Sequence, residues 1–125
     1  MISKYFKEIE NTIDDFNHII EDYIVNKQTF TQEKGAIEGE VFFNDNSQSD
    51  FTEVVNTSQK LKQKYPYHYM NKEKKLIFRY DNVQHHKEIK TFPHHKHLEN
   101  RIIESSEPSL ENVLTEIEII MLNIL

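Results

Sequence analysis

The sequence predicts an α+β domain, with a helix at each end of the chain and an antiparallel meander sheet of about five strands between them. Three observations carry that reading. The two terminal segments place apolar residues at three- and four-residue steps, the spacing of one helix face. The centre alternates β-branched and aromatic residues with turn formers. The connections between those central segments are short, and short connections join antiparallel strands.

The elements follow in order. Ile2, Tyr5, Phe6, Ile9, Ile13, Phe16, Ile19 and Ile20 form the apolar stripe of the first helix, with Glu8, Glu10, Asp14 and Asp15 on its other face. Tyr23-Ile24-Val25 with Thr29-Phe30 reads as the first strand, and residues 36–43, flanked or interrupted by Gly35 and Gly39, as the second. Asn44-Asp45-Asn46-Ser47 is turn chemistry, because Asn and Asp tolerate left-handed backbone and bond their own main chain. Phe51 to Val55 returns as the third strand. Residues 56–64 are polar and read as a loop, and 65–70 and 75–81 as two more strands. Residues 82–100 show no period. Ser105-Ser106-Glu107-Pro108 then signals a helix start, Ser as cap and Pro in the first turn. Leu110, Val113, Leu114, Ile117, Met121, Ile124 and Leu125 supply its stripe. Both helices are expected on one sheet face, leaving the other open.

A chain of 125 residues fits a single domain, 1–125, and can bury a core without staples. It has no cysteine, which removes disulfides, thiolate metal sites and thiol nucleophiles and suits a reducing cytoplasm. No apolar run is long enough for a bilayer span, and the first residues lack the apolar core of a signal peptide, so a cytoplasmic protein without a membrane partner is expected. The net charge of −6 hides a division. Residues 60–101 hold eleven Lys or Arg against four Asp or Glu, a balance of +7, and the remainder carries −13. Six of the seven histidines lie in that basic band, where they add positive charge near pH 6. The band is suited to phosphate and the acidic ends to a basic partner, although solvated lysines alone would give the same composition.

With a turn centred on Lys72-Glu73, Tyr69 is expected opposite Leu76, Tyr67 opposite Phe78 and Tyr65 opposite Tyr80, all on one face. The other face then carries His68 across from Ile77, with Arg79 on the diagonal and Asp81 beyond. His85 and His86 follow, and eight residues later Pro93-His94-His95-Lys96-His97. Two chemistries can use so many imidazoles. Neutral imidazoles with Asp81 make a zinc or nickel site. Alternatively, a metal-free pair, His68 with one of His94, His95 or His97, transfers protons at an RNA phosphodiester while Arg79 stabilises the phosphorane, with His85 and His86 as further catalytic candidates. Asp81 would orient a histidine, and Tyr80, Asn82 and Lys96 would contact substrate. Each feature also has a plainer reading: His68 as a hydrogen-bonded strand residue, Arg79 and Asp81 as an ion pair, the tyrosines as core. No Gly-rich phosphate loop or HExxH pattern is present.

These strings carry a resemblance. Tyr65-Pro66-Tyr67-His68-Tyr69-Met70, Leu76-Ile77-Phe78-Arg79-Tyr80-Asp81-Asn82, His85-His86 and Thr91-Phe92-Pro93-His94-His95-Lys96-His97, in that order and spacing, resemble the TumE family. The likeness runs from about Gly39 to the last helix. Tyr80 stands where family members often have Trp, Val83-Gln84 where they have Ala-Pro, and Asn46 where Gly is usual. The resemblance implies the toxin of a prokaryotic type II toxin–antitoxin module, with a helix-turn-helix antitoxin as partner. A ribonuclease needing no cofactor is the chemistry inferred from the His/Arg/Asp set. The alternative is a non-enzymatic module whose His-rich face binds a metal or a protein. The antitoxin is expected to cover the His/Arg face, and the apolar end at Ile124 and Leu125 to serve a homodimer.

Overall fold

The computed structural model describes residues 1–59, 61–84 and 86–123, and for Leu61 the backbone alone. The order is α1 (Ile2–Asp15), β1 (Ile20–Thr29), β2 (Lys34–Phe43), β3 (Gln48–Asn56), β4 (Leu61–Lys64), β5 (Tyr67–Met70), β6 (Leu76–Asp81), β7 (His95–His97), β8 (Ile102–Glu104) and α2 (Leu110–Leu122). All pairings are antiparallel, in the spatial order β1-β2-β3-β5-β6-β7-β8, with β4 also on β3. The α+β meander is as expected, but with eight described strands rather than five.

The additional strands are short, three or four residues each. β4 lies in the segment expected to be a loop. β4 and β5 run along the same neighbour, and Lys64 opposite Val54 shares the register of Tyr67 opposite Phe51, while a bulge shifts Leu61 and Lys62 by one residue. They amount to one strand interrupted at Tyr65-Pro66, because proline has no N–H for the ladder. The freed Tyr65 N–H donates to the Asn82 side-chain oxygen (3.2 Å), and the Asn82 amide donates to the Gln63 carbonyl (3.2 Å). β7 and β8 extend the sheet from within and beyond the segment that shows no period.

The β5–β6 hairpin differs from expectation by two residues. Tyr67 pairs with Tyr80, His68 with Arg79 and Tyr69 with Phe78, and a bulge precedes Met70 opposite Leu76. The turn takes five residues: Asn71 accepts from the Glu73 and Lys75 amides (2.9 and 3.0 Å), and Lys74 adopts φ 65°. A slip of two keeps every side chain on its expected face. His68 therefore faces Arg79 directly.

One face of the sheet is covered. α1 buries Ile2, Phe6, Ile9 and Ile13, and α2 buries Leu110, Val113, Leu114 and Ile117. They rest on Ile37, Val41, Phe43, Phe51, Val55, Tyr65, Tyr67, Tyr69 and Phe78. Gly39 is dictated by this packing, since a Cβ there would sit 2.5 Å from the Phe51 ring. The α2 start lies later than expected. Ser109 is the cap, its hydroxyl accepting from the Asn112 amide (3.1 Å) while the Asn112 side chain accepts from the Ser109 amide (3.1 Å). Pro108 lies just before the cap, and Ser105 to Pro108 take no helical hydrogen-bonding pattern.

Candidate functional site

Alternation along three adjacent strands builds the site. On β5, β6 and β7, His68, Arg79 and His97 are consecutive partners across the sheet, on the face away from the helices. Two residues further along β6, Asp81 sits opposite His95. Asp81 is buried and fully engaged. Its carboxylate accepts from Arg79 Nε (3.0 Å) and the Val83 amide (3.2 Å), and lies 2.7 Å from His95 Nε2 and 3.6 Å from His97 Nε2. The other His95 ring nitrogen, Nδ1, is 3.0 Å from the Pro93 carbonyl. Both His95 nitrogens thus face acceptor oxygens.

The cluster continues outward. The His86 ring packs edge-on against His95 and His97, with centroids 5.4 and 6.0 Å apart. Arg79 reaches the other way, its guanidinium 3.4 Å from His68 Nδ1. Exposure grades across the group: the His95 side chain is 3% exposed, His97 27% and Arg79 36%. Burial holds the His68 ring below the ordinary histidine pKa, and the Arg79 charge adds to the effect against Asp50. Burial likewise lowers His97, the Asp81 carboxylate opposing it and His95, Arg79 and His86 reinforcing it. Both rings are therefore biased toward the neutral, proton-accepting form.

Beside His68 and Arg79, a groove of about 400 Å³ opens on the sheet face, bounded by Ile24, Glu38, Glu40, Asp50 and Pro66. Its acidic wall leaves the Arg79 end as the place for an anion.

The structure thus brings together His68, Arg79, Asp81, His86, His95 and His97. It separates the other expected residues. Lys96 and Tyr80 are partners on the helix-facing side, both bonded to Glu116 of α2. The His94 ring stacks on Tyr65 and its Nδ1 lies 2.6 Å from the Tyr65 hydroxyl. Asn82 clamps the broken strand, and His85 lies outside the described residues, as do Ile124 and Leu125. Two contributors were not foreseen: the Pro93 carbonyl, which has no side-chain signal, and Asp50, the β3 partner of His68. Asp50 was legible only by extending the third strand back through the polar Gln48-Ser49.

This architecture defines a class: a small α+β protein whose open sheet face carries a histidine–arginine centre built around one buried carboxylate. The family model described as Toxin TumE matches residues 9–121, and the chain belongs to that family, the toxins of toxin–antitoxin modules. Its partner is accordingly an antitoxin. No curated protein and no solved structure matches the chain. Among the described residues, no helix is long and apolar enough to cross a membrane.

Proposed function

We propose that this toxin acts on RNA in the cytoplasm of a prokaryotic cell, cleaving the phosphodiester with its own 2′-hydroxyl as nucleophile. The observation that carries the reading is the row His68–Arg79–His97 across three strands, with Asp81 bonded to the arginine and facing the outer histidine. A phosphate drawn to Arg79 would lie between two imidazoles. In this scheme His97 takes the 2′-hydroxyl proton, the 2′-oxygen bonds to phosphorus and the bond to the 5′-oxygen breaks. His68, in the minor protonated fraction that its lowered pKa leaves, gives that oxygen its proton. The products are a 2′,3′-cyclic phosphate and a 5′-hydroxyl. Arg79 stabilises the charge of the phosphorane, and Asp81 fixes the Arg79 and histidine geometry. His95, buried and bonded at both nitrogens, holds Asp81 in place.

A helix-turn-helix antitoxin laid over this face would silence it by covering Arg79 and His97. The test is total RNA incubated with the purified chain in EDTA. Cleavage that leaves cyclic phosphate ends, and that His97→Ala reduces about a hundredfold, is the expected result. RNA intact under all conditions would instead favour a non-enzymatic toxin whose His-rich face blocks a cellular machine.

A further inference from the structure

The centre has a second capacity, argued from its donor atoms alone. Asp81, His95 and His97 each offer one ligand atom, and the three atoms lie within 4.8 Å of one another. In a tetrahedral site with metal–ligand bonds near 2.0–2.1 Å, neighbouring ligand atoms stand about 3.4 Å apart. The two carboxylate–imidazole separations, 2.7 Å from Oδ1 to His95 and 3.6 Å from Oδ2 to His97, straddle that span, one on each carboxylate oxygen. Closing the widest separation, up to 4.8 Å, toward that span takes side-chain shifts of about an ångström, and the ion would replace the Asp81–His95 hydrogen bond. The outer partners that ligands require are already present. The Pro93 carbonyl accepts from His95 Nδ1 and so directs Nε2 inward, and Arg79 Nε with the Val83 amide fixes the carboxylate.

We propose that Asp81, His95 and His97 bind one divalent ion of the zinc class, with three protein ligands and a fourth position open. The set is two imidazoles and one carboxylate, a borderline donor set that selects zinc, cobalt or nickel over magnesium or calcium. Because the ion would take the His97 nitrogen, it would inhibit metal-free RNA cleavage rather than support it. That consequence rests on the ribonuclease reading, whereas the binding itself does not.

The experiment is titration of the untagged, EDTA-stripped chain with Co2+, read by its visible absorption, followed by displacement with Zn2+. One equivalent with a tetrahedral-type spectrum, removed by Zn2+, is expected. His97→Ala and Asp81→Asn should weaken binding by more than the roughly 10–100-fold that loss of an outer-shell partner costs. His68→Asn should bind as the parent does. His97 is part-exposed, so its variant remains informative if Asp81→Asn fails to fold. No saturable Co2+ band, or binding undiminished in His97→Ala, would overturn the site. If RNA stays intact throughout while Co2+ binds, the metal site stands and the ribonuclease reading falls. If RNA is cleaved in EDTA and one equivalent of Zn2+ stops it, both stand.

Discussion

Two buried carboxylates, one on each side of the same sheet, serve opposite ends. Glu53 of β3 points to the helices and is completely buried, its oxygens accepting from the Tyr67 hydroxyl (2.5 Å) and the Tyr5 hydroxyl. Lys62 completes that network by donating to the Tyr67 hydroxyl (2.6 Å) and to the Pro108 carbonyl, just before α2. Burial drives the Tyr5 and Tyr67 hydroxyls well above the ordinary tyrosine range and pulls Lys62 down, with the Glu53 charge raising all three. Asp81 of β6 points to the open face, and its partners are an arginine and two imidazoles that grade outward to solvent. The difference lies in the donors. Phenolic hydroxyls stay protonated throughout the physiological range and can only hold α1, β3 and β5 together, whereas imidazoles exchange protons near neutral pH. Burial of a carboxylate alone does not mark a reactive centre; the titration range and exposure of its partners do.

The comparison can be broken most forcefully on the Glu53 side. Glu53→Ala leaves two buried hydroxyls without their acceptor and should cost about 2–4 kcal/mol. That corresponds to a melting temperature lower by about 10 °C or more. A fall of only 2–3 °C would show that the inner network is not structural. On the other side, Arg79→Ala removes a part-exposed guanidinium and should leave melting within a few degrees. RNA cleavage should nevertheless fall about 10²–10³-fold, as for loss of a preorganised charge stabiliser.

The smallest effect is pH dependence. The groups facing His68 are Arg79, which disfavours its protonation, and Asp50, which favours it less strongly than burial opposes it. With its pKa lowered in the folded state, His68 binds a proton more readily when unfolded. Stability therefore rises with pH through this window and is lost as pH falls through the free-histidine range near 6.5. Melting measured at pH 7.5 and 5.5 should show a smaller loss on acidification in His68→Gln than in the parent. An equal loss would mean that other groups carry the dependence.

Part of this was legible in the sequence. Both terminal helices followed from the 3.6-residue stripe, although α1 ends at Asp15 and Ile20, expected on its stripe, opens β1; the two faces of the β5–β6 hairpin survived a register error because the error was an even number of residues. β4, β7 and β8 were not, since strands of only three or four residues are too short to show a period and exist through the edges they join. That omission obscured the site. Once His95–His97 is a strand, alternation alone puts His95 and His97 with Asp81 and sends Lys96 to the helices. The burial of His95 was not legible either, because the loop geometry that encloses it is tertiary.

The most direct measurement compares the two carboxylates in their mildest variants, Asp81→Asn and Glu53→Gln. Each is scored for melting temperature and for growth arrest per molecule of folded, soluble toxin. Asp81→Asn is expected to lose arrest activity about a hundredfold or more while keeping most of its stability, since a neutral amide cannot orient the arginine and histidines as the carboxylate does. Glu53→Gln should melt earlier yet arrest growth at parental strength once folded. Full arrest by folded Asp81→Asn would contradict the assignment of the chemistry to the open-face centre.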